Sequence, residues 1–171
     1  MTWKFLFYFL LLIVTFHSAS AQKKITLSTP ELNNLTGCWQ GTLNYSGTMI
    51  RKPYTTKASL TINRIGQAKA YTLVHAYPGN ELTSDTFNIS TNGSNVNGAR
   101  ILSKKTTQKG KLVIVTQQTG YDNDYAQSVI IQKTYSICKN KYTYSKKIKA
   151  KDHVKWLDRE GFMYERIACD K

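Results

Sequence analysis

The sequence is poor in the residues that build catalytic and metal sites. Only three of its 171 residues are His and three are Cys, and no Gly-x-Ser-x-Gly turn is present. Zinc needs three or four ligands in close groups, which these scattered residues do not supply. Catalysis by a cysteine would need Cys38 or Cys138 beside His75, and nothing in the spacing favours it. The run 122–124 (Asp-Asn-Asp) suits a hairpin turn better than a calcium loop, because no bidentate Glu follows. We expect no enzymatic activity, no cofactor and no metal.

Long apolar runs are also missing, apart from one at the start. Lys4 precedes the twelve-residue apolar run 5–16, which is too short for a membrane span of about 20 residues. Small residues then lead to Ala21, as in a secretory signal with an A-x-A cleavage site. No Cys follows that site to carry a lipid. We expect residues 1–21 to be a signal peptide, and the product to be periplasmic or secreted without a transmembrane segment.

Acidic residues are scarce. Ten Asp and Glu face 24 Lys and Arg, giving a net charge of +14, or +13 once Lys4 leaves with the signal. Such a charge attracts anionic partners. Nucleic acid is the usual partner of a basic domain, but we do not expect it here because the protein is expected to be exported. Lys141, Lys147 and Lys149 alternate with apolar residues. They form either a solvated outer face or a site for an anionic envelope surface.

Helical periodicity is absent after the signal, and alternation of period two replaces it. Trp39, Leu43 and Tyr45 alternate with polar residues, and similar short segments recur between turn dipeptides such as Asn92-Gly93 and Asn97-Gly98. Residues 22–33 form a polar lead-in, and 34–171 a single domain. The pattern predicts an all-β, antiparallel up-and-down meander of eight to ten strands closing into a barrel, with a β-sandwich as the alternative. Residues 150–160 suit one helical turn or a strand broken at Asp152.

The run 35–43 (Leu-Thr-Gly-Cys-Trp-Gln-Gly-Thr-Leu) resembles the Gly-x-Trp opening of lipocalin-type barrels. In that family the Trp plugs the closed end of the barrel and an Arg of the last strand packs against it. The resemblance assigns these roles to Trp39 and Arg166. A guanidinium also stacks on an indole better than an ammonium does. The alternative is a core Trp39 and a surface Arg166.

The resemblance extends to a family of small exported proteins of Bacteroidetes-type bacteria. The landmarks after the opening run are Tyr77–Glu81, Ser84–Thr86, 120–124 and Phe162–Arg166, so most of the processed chain is covered. The resemblance implies export and a lipocalin-like fold rather than an activity.

The cysteines allow one pair outside the cytoplasm. In a closed meander the first and last strands are adjacent, which brings Cys38 near Cys169 and predicts a disulfide between them. Cys138 would lie two strands from Cys169, roughly 9–10 Å away, which is too far.

Three functions follow from this sequence. The first is a barrel that binds a small apolar or amphipathic ligand in an aromatic interior. The second is a basic interaction module with a filled interior, which binds an acidic envelope polymer, a glycolipid or a protein. The third, least favoured, is an enzyme. The candidate lining residues lie on the inward faces of the predicted strands: Tyr71, Leu73, His75, Tyr77, Phe87, Tyr135, Tyr142 and Tyr144.

Overall fold

The computed structural model describes residues 24–46, 52–123, 125–150 and 153–169. The predicted signal peptide lies outside the described residues. Within these ranges, ten strands and one short 3-10 helix make up the regular structure. No helix among the described residues is long and apolar enough to cross a membrane.

The elements follow one another along the chain with short connections. The 3-10 helix is Thr29–Leu32, and the strands are β1 Gly37–Tyr45, β2 Tyr54–Arg64, β3 Ala70–Ala76, β4 Leu82–Asn88, β5 Asn95–Val96, β6 Ala99–Thr106, β7 Leu112–Asp122, β8 Gln127–Ile137, β9 Lys141–Ala150 and β10 Leu157–Ile167.

All ten strands belong to one antiparallel sheet in the order β4-β3-β2-β1-β10-β9-β8-β7-β6-β5. Strands adjacent in sequence pair with each other except β4 and β5, and β1 pairs with β10, with Trp39 opposite Arg166. The sheet curls into a nearly closed barrel. The predicted meander is therefore confirmed, and the β-sandwich is not the fold.

The seam of the barrel lies between β4 and β5. Ile89 forms a bridge with Val96, and the backbone N–H of Asn97 donates to the carbonyl of Asn88. β6 pairs with β7 only as far as Gln117. In the described part of the chain, the first half of β4 therefore has no strand partner across the seam, which leaves a gap in the wall.

The core follows from the period-two alternation. In β3, Tyr71, Leu73 and His75 are buried while their neighbours are half-buried. The polar lead-in also contributes, because Leu27 and Leu32 are almost fully buried across one end of the barrel. The main core contains Leu27, Leu32, Leu35, Trp39, Ala58, Leu60, Ile62, Tyr71, Leu73, Phe87, Ile89, Val96, Ile101, Leu112, Ile114, Tyr135, Ile137, Tyr142 and Tyr164.

Local turn chemistry explains several connections. Asn97 and Gly98 join β5 to β6 with φ of 47° and 78°, as a two-residue hairpin of this type requires. The turn expected at 122–124 begins later than predicted, because Asp122 is the last residue of β7. The last strand, β10, begins at Leu157. The predicted strand break near Asp152 falls between the end of β9 at Ala150 and the start of β10 at Leu157. Asp152 itself lies outside the described residues.

A buried ion pair stabilises the end of the barrel opposite Trp39. One guanidinium nitrogen of Arg159 lies 3.0 Å from both carboxylate oxygens of Asp122, and both side chains are buried. The guanidinium also lies over the Tyr125 ring, 5.6 Å from its centroid. A register shift between Asp158 and Glu160 directs Arg159 inward.

Replacing Asp122 by Ala should destabilise the fold by about 3–5 kcal/mol, because it leaves the Arg159 charge buried without its carboxylate. The measurement is the free energy of urea unfolding. The matched control is Asp158→Ala, which removes an exposed ion pair with Lys147 at 3.4 Å and should cost less than about 1 kcal/mol. Equal losses in the two variants would contradict a stabilising role for the buried pair.

Candidate functional site

One end of the barrel is closed by Trp39 and Arg166. The Trp39 side chain is fully buried, and its indole N–H donates to the Leu35 carbonyl at 3.1 Å. The Arg166 guanidinium lies 4.1 Å from the centroid of the indole ring. Its nitrogens donate to the carbonyls of Thr36, Lys139 and Asn34. The structure therefore brings Trp39 and Arg166 into direct contact at this end of the barrel.

Gly37 is required by this closed end. Its φ of 129° is one that side chains rarely adopt, and a Cβ there would collide with the Arg166 guanidinium. The glycine of the Gly-x-Trp motif thus makes room for the arginine that covers the tryptophan.

The structure joins Cys38 and Cys169 in a disulfide, with Cα atoms 5.2 Å apart. The bridge links the start of β1 to the residues after β10. Cys138 is a free thiol, and its sulfur lies 3.3 Å from the Lys141 carbonyl.

A cavity of about 230 Å³ occupies the barrel on the other side of the plug. Its lining includes every predicted lining residue except Tyr71. Tyr71 packs edge-on against Phe87, with ring centroids 6.2 Å apart, and belongs to the core. The lining residues are Leu73, His75, Tyr77, Thr83, Ser84, Asp85, Thr86, Phe87, Asn97, Lys133, Tyr135, Tyr142, Tyr144, Glu160 and Phe162.

The aromatic wall of the cavity is continuous. The Tyr135 ring lies 5.2 Å from Phe87 and 5.3 Å from Tyr144, and Phe162 connects Tyr144 to His75 at 5.8 and 4.9 Å between centroids. Five strands supply these rings, because each presents alternate residues to the interior. The wall offers flat apolar faces from several sides.

Hydrogen-bonding groups interrupt the aromatic wall. The imidazole Nδ1 of His75 lies 3.1 Å from the Tyr164 hydroxyl oxygen. The Tyr144 hydroxyl donates to a Glu160 carboxylate oxygen at 3.2 Å. Burial raises the pKa of the Tyr135, Tyr142 and Tyr144 hydroxyls well above the ordinary value, so they stay protonated.

Lys133 brings an amine into this interior. Burial lowers the pKa of its ammonium, and Lys146, opposite it on β9, lowers it further. Asp85 and Glu160 act in the other direction. Among the described residues, no carboxylate lies within ion-pair distance of Lys133. The amine is therefore both partly desolvated and available to a ligand.

The gap at the seam gives access to the cavity. Thr83, Ser84 and Asp85 lie in the part of β4 that pairs with β3 but has no strand partner across the seam among the described residues. They are exposed and line the cavity. The opening therefore carries an acidic side chain and hydroxyls, while the interior is aromatic.

Sequence reasoning missed the charged lining residues Asp85, Lys133 and Glu160. Strand parity held a signal for Lys133, which is two residues from Tyr135 and shares its face. The signal is easily missed, because charged side chains are usually assigned to the outer face of a strand. Glu160 carries the same signal, because it is two residues from Phe162 and shares its face.

The predicted basic face lies on the outside of β9. Lys141 and Lys147 are exposed, and Lys149 is half-buried with its ammonium 5.3 Å from the centroid of the Trp156 ring. The calcium alternative at 122–124 is not supported, because the Asp122 carboxylate binds Arg159. Asp124 lies outside the described residues. Within the part of the chain that the structure describes, no three His, Cys, Asp or Glu side chains cluster as metal ligands.

No family model and no curated protein matches the chain. Among solved structures it is similar to Rv2717c from M. tuberculosis, with a TM-score of 0.48 and 14% identity over 81% of this chain and 98% of that one. It is also similar to a protein of unknown function from the DUF3598 family of Nostoc punctiforme, with a TM-score of 0.44 and 16% identity. That match covers 83% of this chain and 50% of the other, so this chain spans about half its length.

Burial of His75 predicts a pH dependence of folding. Desolvation by burial lowers the pKa of its imidazole, with Asp85 and Glu160 opposing this. The unfolded chain, with an ordinary His pKa of about 6.5, then binds more protons than the folded one below that pH. Stability should be complete above about pH 6.5 and fall as the pH decreases, by at most about 1.4 kcal/mol per pH unit.

Urea unfolding between about pH 7.5 and 5.5 measures this slope, in a window above most carboxylate titration. His75→Gln should flatten the slope. His153→Gln, at an exposed position, leaves the His75–Tyr164 contact intact and should keep it. An unchanged slope in the His75 variant would assign the dependence to other groups.

Proposed function

We propose that the protein is an exported binding protein, not an enzyme, that holds a small amphipathic ligand in its barrel cavity. The observation that carries the proposal is the cavity of about 230 Å³ inside the barrel. Ligand sites are typically concave and apolar with a few placed polar groups, and drug-sized ligands occupy about 300–1,000 Å³. The smaller volume here favours a ligand of one or two rings.

The lining favours an amphipathic ligand over a purely apolar one. The rings of Phe87, Tyr135 and Phe162 offer flat contacts to a planar apolar body. An apolar ligand would displace water from the Lys133 amine without replacing its hydrogen bonds, which carries a free-energy penalty. A ligand with an anionic group would instead receive a charge-assisted hydrogen bond there.

Among the charged groups, Lys133 is the best anchor for the ligand. Glu160 already accepts a hydrogen bond from Tyr144, and Asp85 is exposed at the opening. The half-buried ammonium of Lys133 has no ion-pair partner within the described ranges. We therefore assign the ligand an aromatic or planar body and a carboxylate or similar anion.

Binding of 1-naphthoate, 1-naphthylmethylamine and naphthalene, measured by calorimetry, tests this assignment. These probes share one ring system and differ in charge. Naphthoate should bind most tightly, and Lys133→Met should weaken its binding about tenfold or more, since a hydrogen bond to a charged group contributes about 1.5–3 kcal/mol. Lys147→Met on the outer face is the control and should have no effect.

Two outcomes would contradict the proposal. If none of the probes binds and native mass spectrometry shows no ligand retained by the purified protein, the interior is a packing defect rather than a site. If naphthoate binds equally well to Lys133→Met, the cavity binds rings but the anionic anchor is wrong.

Export rests on the predicted signal in residues 1–21, and the Cys38–Cys169 disulfide supports it because such bonds persist in oxidising compartments. The intact mass of protein recovered from outside the cytoplasm should correspond to a chain starting at Gln22. Its mass should rise by two hydrogens on reduction, and peptide mapping should place the bridge between Cys38 and Cys169. An uncleaved chain with three free thiols would overturn export.

A further inference from the structure

The connection between β9 and β10 carries apolar side chains into solvent. Val154 is 93% exposed, and Trp156 and Leu157 are exposed at 36% and 39%. A single exposed apolar residue is ordinary, but three within four positions, one of them a tryptophan, form a patch. Contiguous exposed apolar surface on a folded domain marks an interaction site.

Lysines surround these apolar side chains. Lys155 is exposed between Val154 and Trp156, and the Lys149 ammonium lies 5.3 Å from the Trp156 ring centroid. Lys147 is nearby and forms an exposed ion pair with Asp158 at 3.4 Å. Lys149 and Lys155 are thus the positive charges next to the patch with no carboxylate within ion-pair distance among the described residues.

An exposed aromatic side chain lies on the strand next to β1 at the same end of the barrel. Tyr45 of β1 pairs with Glu160 of β10 and with Tyr54 of β2, and the Tyr45 and Tyr54 rings stack at 5.3 Å. Tyr54 is 47% exposed. Exposed apolar and aromatic side chains at this end of the barrel are therefore not confined to one loop.

We propose that Lys149, Val154, Lys155, Trp156 and Leu157, which we call the loop patch, bind the surface of an anionic lipid bilayer. We choose an anionic bilayer because the loop patch combines apolar and aromatic side chains with lysines. Tryptophan is favoured at the membrane interface, where its ring is in contact with acyl chains and its N–H stays hydrated. Lysine extends its apolar stem along the same surface and directs its charge to anionic headgroups.

An acidic polysaccharide fits the loop patch less well. It would use the lysines but would leave Val154 in water, because its chains offer no apolar layer to insert into. The bilayer uses both parts of the patch. This inference is independent of the ligand proposal, because none of the five residues lines the cavity.

Binding of the processed protein to vesicles tests the proposal. Co-sedimentation with vesicles of phosphatidylglycerol and phosphatidylcholine should exceed that with phosphatidylcholine alone, and salt should reduce it. Trp39 is fully buried, so a blue shift of tryptophan emission on binding should come from Trp156. Trp156→Phe should abolish the shift while keeping most of the sedimentation.

Substitutions separate the two parts of the loop patch. Replacing both Lys149 and Lys155 by serine should lower the vesicle partition coefficient about fivefold per lysine. Val154→Asp should lower the partition coefficient about tenfold or more. The substitution replaces an apolar side chain that enters the bilayer with a negative charge, which the anionic lipid repels. Both variants should keep the urea unfolding curve of the parent, since the altered side chains lie at the surface.

The matched control removes the same charge elsewhere. Lys105 and Lys109 are exposed in the β6–β7 hairpin at the Trp39 end, and their replacement by serine should leave vesicle binding nearly unchanged. An equal loss in this control would overturn the proposal in favour of diffuse charge attraction. Equal binding to both vesicle compositions would overturn it as well. Retention on heparin without vesicle binding would assign the basic surface to an acidic polymer instead.

Discussion

The pairing of the first strand with the last is the constraint on which the rest of the barrel depends. Once β1 pairs with β10, all other pairings join strands adjacent in sequence, and the two edges of the sheet, β4 and β5, meet at the seam. Arg166 reinforces this pairing with side-chain interactions: it covers Trp39 and donates to carbonyls of the segment just before β1 and of the β8–β9 turn. The disulfide between Cys38 and Cys169 joins the same two chain regions. Removing freedom from such distant segments of the unfolded chain stabilises the folded state, and more so for long loops.

Much of the fold was predictable because its information is local. Alternation of period two identifies the strands and their inward residues, and dipeptides such as Asn97-Gly98 identify the tight turns. The register shifts were not predictable, because a shift depends on the partner strand as well as on its own sequence. The one between Asp158 and Glu160 places both Arg159 and Glu160 inward, which simple alternation forbids. The lead-in was expected to be polar, but Leu27 and Leu32 reveal their role only once there is a barrel end to cover.

The charged groups inside the barrel divide into two kinds. Arg159 and Asp122 compensate each other in direct contact, so their cost of desolvation is offset within the protein. Lys133, Asp85 and Glu160 line one cavity without a direct ion pair among them, so their charges are partly hydrated through the opening. The first kind is expected of a structural element. The second is expected of a site, since groups left without close partners in the empty state can exchange water for a ligand.

The gap at the seam and the loop patch connect the cavity to the outside in different ways. The gap follows from strand lengths, because β6 reaches only Gln117 of β7 and leaves the start of β4 without a described partner across the seam. The loop patch leads directly into β10, and Glu160 of the cavity lining lies three residues beyond Leu157. A barrel held at a bilayer by this loop would therefore present its open end, not its Trp39 end, to the lipid. Amphipathic molecules concentrate at that interface, so orientation at the surface would raise the local concentration of the kind of ligand that the cavity chemistry selects. The two proposals thus support each other physically, although each rests on its own residues and either can fail alone.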